Sequence, residues 1–191
     1  MLKIGVDSDQ LKKLQKVLGS NQRKLPREIN SAINKTLTKV QGFVAKEVTQ
    51  EVAVSQKVVK KSLASKRSIA SSLQGTVTLK QTRRISLRDF GARQTNKGVS
   101  YKISRTKGRK TVLGAFQGPK PGVMKASWRG NVFKRVGKKR LPIVKLSGPS
   151  PWGVYVINGD DPVVRKKARQ ELRKQIDRRL RFLELKKTGQ I

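Results

Sequence analysis

The sequence predicts an α+β protein, with N-terminal helices, a central and mostly antiparallel β-sheet, and a long basic C-terminal helix. Three observations carry this reading. Apolar residues recur every three or four positions from Ile29 to Val48, one unbroken stripe of an amphipathic helix. Short alternating runs broken by Gly and Pro fill the middle of the chain, as strands and tight turns do. A second helical stripe runs from Val164 to Leu183. Helical and strand patterns fall in separate blocks, which favours segregated layers over an alternating α/β arrangement.

The elements follow in order. Asp7 or Ser8 can cap a short helix carrying Leu11, Leu14 and Leu18, with Gly19 as its stop. Pro26 suits the first position of the long helix, whose stripe is Ile29, Ile33, Leu37, Val40, Val44 and Val48. Ala32, Thr36 and Phe43 widen that stripe, and a core-facing role is its simplest use. Ser55 can cap a third helix reaching Leu63, and the Ser-rich, basic stretch from Ala64 to Ser72 reads as a loop. Strands are expected at Thr76–Leu79, Arg84–Phe90 and Val99–Ile103, and from Val112 until Gly118-Pro119 ends it. Ser104–Lys110 and Lys120–Gly130 read as loops. Val132–Val136 is a short strand, Gly137–Arg140 the tip of a hairpin, and Leu141–Val144 its return arm. Pro142 places that arm at a sheet edge. Gly148–Pro151 reads as a rigid, non-helical exit, and Trp152–Ile157 as a strand or irregular lead-in. Asp160 or Asp161 caps the last helix, with Pro162 at its start. Its stripe is Val164, Ala168, Leu172, Ile176, Leu180 and Leu183, and its outer face is laden with Arg and Lys. A chain of 191 residues suits one domain. Its consecutive parts are a helical 1–64, a β-rich 73–157 and the helix 160–187.

Charge bounds the partners. There are 46 Lys and Arg against 11 Asp and Glu, a net +35. The excess is +15 over residues 1–100 and +20 over 101–191, so it is no mere tail. Such a chain repels its own copies and attracts polyanions, DNA foremost. An acidic neighbour in an assembly would also answer the charge. Apolar residues are 35 % and aromatics 5 %, lean for a core. With neither Cys nor His, there is no disulfide framework, no thiolate metal site and no imidazole base. No cofactor is expected. The start MLKIGVDSDQ lacks the apolar run of a signal peptide, and no window approaches a membrane span. A cytoplasm-like compartment before assembly, and no membrane partner, are expected.

The acids offer no catalytic constellation. Only Asp160 and Asp161 are adjacent, and helix capping accounts for them. Gly118-Pro-Lys-Pro-Gly122 looks like a phosphate loop, but its prolines lack the amides a phosphate cradle needs. Enzyme chemistry is therefore not expected. The densest basic cluster is Arg129, Lys134, Arg135, Lys138, Lys139 and Arg140. It suits backbone contact with nucleic acid without sequence reading, since no zinc-finger or RNA-recognition motif accompanies it. The terminal helix is an alternative basic face.

Three segments carry a resemblance. They are RRISLRDFGARQTNKGVSYKIS at Arg83–Ser104, GAF at Gly114–Phe116 followed by VFKRVGKKRLPIVKLSGPSP at Val132–Pro151, and the basic terminal helix. Together these resemble the prophage minor tail protein Z family over roughly residues 25–185. The chain departs from the pattern at Pro151, where an apolar residue is expected, and its first helix is generic. The resemblance implies a structural virion protein acting in tail completion, at the head-proximal neck of a tailed phage. It implies a homo-oligomeric ring around the DNA channel, six copies by the usual tail symmetry, beside tail terminator and tail tube proteins. Genomic DNA would be met by backbone contact, through the six basic residues just named. Phe116, Trp128 and Trp152 would anchor subunit interfaces. Localisation would be the virion, after assembly in the host cytoplasm. The rival reading is a ribosomal or other RNA/DNA-binding protein without sequence preference, or a free DNA-compacting protein.

Overall fold

The computed structural model describes residues 2–5, 12, 15–16, 25–69, 71–81, 83–118, 128, 130–157 and 161–188. Most of the expected first helix, with Asp7, Ser8, Leu11, Leu14, Leu18 and Gly19, lies outside them. The chain gathers into two compact units made of separated segments. Met1–Val44, Leu63–Leu79 and Gly159–Ile191 form the first; Ala45–Ser62 and Lys80–Asn158 form the second. These units cut across the three consecutive parts read from the sequence.

In the first unit, helix α1 spans Leu25–Glu51 and continues into the second unit's segment. Pro26 sits in its first turn, where its missing amide costs nothing. Ile29, Ile33, Leu37, Val40, Val44 and Val48 are all buried. Thr36 lies within the stripe and satisfies its hydroxyl by donating to the Ala32 carbonyl at 2.9 Å. The apolar face of α1 meets an antiparallel sheet of order β1-β3-β2, with β1 Leu2–Gly5, β2 Leu63–Lys66 and β3 Gln74–Leu79. Leu2 pairs with Val77 and Ile4 with Gly75, so these four share one face. A side chain at Gly75 would meet Leu37 and Ile33, which locates the helix on the sheet.

Strand β2 corrects the expectation of a helix to Leu63 and a loop beyond. Helix α2 is only Gln56–Lys60, and Leu63 to Lys66 pair with Leu79 to Thr76. Pairing with β3 supplies backbone partners that outweigh a weak helical pattern. Asn34 then pins the following turn. Its side-chain amide donates to the Ser68 carbonyl at 3.2 Å and its oxygen accepts the Ser68 amide at 3.0 Å. That pair of bonds imitates a strand partner on the surface of a helix.

The last helix, α4, spans Asp161–Lys187 and packs beside β1; α3 is described below with the second unit. Val164, Ala168, Leu172 and Ile176 are buried, while Leu180 and Leu183 are half-buried. Asp160 lies outside the described residues. One turn past Ile176, Arg179 forms a bidentate pair with Glu28 of α1, one arm at 2.9 Å. The Glu28 side chain is 7 % exposed and that of Arg179 33 %. The hydrogen bond to Glu28 holds the Arg179 guanidinium above its ordinary value, against the opposing effect of burial. Removing one partner of a buried pair strands the other charge. Arg179→Met should therefore cost about 2 kcal/mol, the low end because the guanidinium keeps water contact. The double change with Glu28→Met should recover most of that loss in urea denaturation. A neutral single variant would show that the pair contributes nothing.

In the second unit, the end of α1 is closed by Arg105. Its side chain donates to the Thr49 carbonyl, and its amide donates to the Glu51 carbonyl at 3.0 Å. These bonds satisfy carbonyls that a helix end leaves without partners. The expected single central sheet is instead two three-stranded antiparallel sheets here, besides the one in the first unit. One has the order β4-β5-β6, with β4 Arg93–Thr95, β5 Gly98–Tyr101 and β6 Lys110–Leu113. The other has the order β7-β8-β9, with β7 Ala115–Gln117, β8 Val132–Arg135 and β9 Ile143–Lys145. Gly114, at φ 69°, divides the strand expected from Val112 to Gly118 between them.

Two further expectations are corrected. Residues Leu87–Phe90 form a 3-10 turn, not the end of a strand. Strict alternation would have put Asp89 on the face of Ile85 and Leu87. The 3-10 turn instead brings Phe90, three residues on from Leu87, into the core; Ile85, Leu87 and Phe90 are all buried. Pro151–Ile157 is helix α3, not the end of a rigid exit followed by a strand or irregular lead-in. Ser150 Oγ accepts the Gly153 amide at 3.1 Å, with Pro151 at the helix start. A serine cap followed by proline is a legible helix signal, here masked by the neighbouring Gly148-Pro149.

Candidate nucleic-acid interface

The acidic residues of the chain avoid its middle. From Phe90 to Gly159 there is no Asp or Glu, against sixteen Lys and Arg. The segments of the second unit hold 24 basic and three acidic residues; those of the first hold 22 and eight. The β-rich unit is thus the more basic, and its cations cannot be neutralised from within their own stretch of chain.

The β8–β9 hairpin presents five of the six expected basic residues. Val132 faces Gln117 and Phe133 faces Phe116 across one side of β8; Phe133, Lys134 and Arg135 face Lys145, Val144 and Ile143 across the other. The base of the hairpin is fixed by burial. Val132 is fully buried and Phe133 nearly so. Trp128 packs on Phe133 at 5.0 Å between ring centroids, and Phe116 stacks on it at 6.0 Å. The Arg135 guanidinium lies 5.5 Å over the Phe116 ring, a cation–π contact that holds the stem of the cation.

Beyond that base the hairpin is wet on both faces. Lys134, Arg135, Lys138, Lys139 and Arg140 are exposed. Among the described residues none of the five has a carboxylate partner. Arg129 lies outside the described residues. Sequence reasoning missed Lys145, which is exposed opposite Phe133 on the edge strand. It also missed the aliphatic residues of the tip. Val136 and Leu141 are each 66 % exposed, and Val144 is 50 % exposed. Their exposure was not legible because a hydrophobic residue in a hairpin ordinarily faces a core.

The expected interface anchors are separated in role. Phe116 and Trp128 are half-buried and engaged with Phe133, whereas Trp152 is half-buried on α3. The alternative basic face, on α4, is a shallow groove of about 410 Å³ lined by Gln170, Arg173, Lys174, Asp177, Arg178 and Arg181. Asp177 sits within it, so it is less purely cationic than the hairpin. A second hollow of about 330 Å³, beside Lys102 and Arg105, uses an arginine already committed to the end of α1. Among the described residues no cluster of three or more acids could hold a metal ion, and no helix is long and apolar enough to cross a membrane.

No family model, curated protein or solved structure matches the chain.

Proposed function

We propose that the chain is a structural component of a phage tail, placed at the head-proximal neck, where copies surround the DNA path. Tail terminator and tail tube proteins would be its neighbours, and the virion its destination. The observation that carries the polyanion contact is the exposed β8–β9 hairpin, whose cations have no acidic partner in a 70-residue stretch of chain. Contacts of Lys138, Lys139 and Arg140 with phosphate would hold DNA without reading it and would let it slide. The placement in a tail rests on the resemblance of Arg83–Ser104 and Val132–Pro151 to the minor tail protein Z family. Between copies, the ring must overcome the repulsion of +35 per subunit. Polyanion in the lumen would offset that repulsion.

The test is reversal of Lys138, Lys139 and Arg140 to Glu in the assembled particle. Tails should form, while DNA delivery or head–tail joining falls by at least about tenfold, because three phosphate contacts become repulsive. Wild-type infectivity with normal incorporation would remove the hairpin from that role. Co-sedimentation of the chain with ribosomal particles instead of virions would favour the RNA-binding alternative.

A further inference from the structure

The hairpin has more than charge. Its outer half is exposed, and two aliphatic side chains, Val136 and Leu141, bracket the cations of its tip. We infer that the tip of the β8–β9 hairpin, Val136–Leu141, enters the major groove of B-form DNA, seating Val136 and Leu141 against base edges while the hairpin's cations meet phosphates on the groove walls. This deepens the DNA-contact reading above and rests on it.

The cations are distributed to suit two walls. Lys134 shares a face with Val144, whereas Arg135 shares the opposite face with Lys145. Lys134 and Arg135 lie five and four positions before Lys139, behind the tip. A flat anionic bilayer would meet the tip first and these two cations last. The phosphate walls of a groove rise alongside an inserted tip and so approach the cations behind it. The B-DNA major groove is about 12 Å wide and admits a two-stranded ribbon. The A-form RNA major groove is too deep and narrow. The exposed aliphatics also need an explanation, since phosphate contact does not use them. Val136 and Leu141 flank Gly137-Lys138-Lys139-Arg140, so they reach the groove floor with the tip. There they can meet thymine methyls and other apolar edges without selecting one sequence.

The test uses the purified full chain, a fluorescent DNA duplex, an RNA duplex of the same sequence, and phosphatidylserine vesicles. Wild type should bind the DNA duplex more tightly than the RNA duplex. The Val136→Ser/Leu141→Ser variant should bind DNA about 3- to 10-fold more weakly, with an unchanged salt slope. The Lys138→Gln/Lys139→Gln/Arg140→Gln variant should lose about 2.7 from the slope of log K against log salt. Bulky glucosyl groups on the major-groove edge of cytosine should weaken wild type and leave the Ser variant nearly unaffected. Thermal melts check that both variants fold, and Val136→Ile/Leu141→Met should bind as wild type. If the Ser variant binds like wild type while the Gln variant loses affinity and slope, the tip meets phosphate alone. Groove entry is then overturned and the DNA-contact reading survives. If the Gln variant is unchanged, both fall. If the Ser variant loses vesicle binding and keeps DNA binding, the occupant is a lipid surface and groove entry is overturned.

Discussion

Phe90→Ala should lower the stability of the second unit by about 3–5 kcal/mol, among the largest effects of any single change in this chain. Phe90 is 1 % exposed. Its carbonyl also accepts the Lys102 amide at 3.1 Å, so the ring and the backbone of the 3-10 turn are anchored together. The ring lies against Gly148: a methyl built there would sit 2.4 Å from one ring carbon and 3.0 and 3.1 Å from two more. Two opposite errors are therefore available at one contact. Phe90→Ala leaves a cavity, and Gly148→Ala forces overlap, costing about 1–3 kcal/mol. In the double variant the new methyl occupies part of the space the ring vacates. Its loss should fall short of the sum of the singles by about 1 kcal/mol or more, as expected of residues in contact. Thermal melting reads it, with a fall of about 10 °C for Phe90→Ala in a chain of this size. A fall of only a degree or two would show that the ring contributes little to packing.

Gly98→Ala should cost about 3 kcal/mol or more and disrupt the β4-β5-β6 sheet. Gly98 begins β5 at φ 149°. A methyl there would lie 2.1 Å from the Val112 carbonyl oxygen, which is backbone and cannot swing aside. The site is also constrained from the other side. Thr95 Oγ1 and Gln94 Nε2 both donate to the Gly98 carbonyl, at 2.9 and 3.1 Å. The Gly114 amide donates to the Lys97 carbonyl at 3.1 Å. Moving β6 away to admit the methyl would break this turn. Gly108→Ala is the control. A methyl there meets nothing within 4 Å, so it should be neutral or slightly stabilising through the unfolded chain. Amide hydrogen exchange should show loss of protection at Val99 and Val112 for Gly98→Ala alone. Equal protection in the two variants would mean that β6 can retreat freely.

The parts of the site that were legible in sequence were those set by charge and by turn chemistry. Lys134 and Arg135 follow the adjacent apolar pair Val132-Phe133, and Gly137-Lys138-Lys139-Arg140 cannot be core. Pro142 announced an edge, and β9 is the edge strand of its sheet. What could not be read was the company these residues keep. Nothing local says that Phe133 is held between Trp128 and Phe116, because those contacts depend on how separate segments pair. Nothing local says that Val136 and Leu141 are exposed, because the hairpin outruns the sheet that buries its base. The acid-free stretch was visible in the residues, but it gained meaning only when that stretch proved to supply most of one compact unit.

By itself, the sequence determined the two long helices, the charge and the segregated α+β class. A stripe repeated over five or more turns outweighs local exceptions such as Gly42, and net charge needs no geometry. Tertiary structure decided which short segments became strands. β1, β2 and β4 carry little pattern of their own and exist through β3 and β5, which lend them backbone partners. It also decided that Leu87–Phe90 is a 3-10 turn and that Pro151–Ile157 is a helix. In the first, burying Phe90 outweighed alternation; in the second, burial of Pro151 and Tyr155 on one face settled a segment whose Ser150 cap the neighbouring Gly148-Pro149 had masked. Short segments are marginal alone, so their conformation follows from what packs or pairs with them.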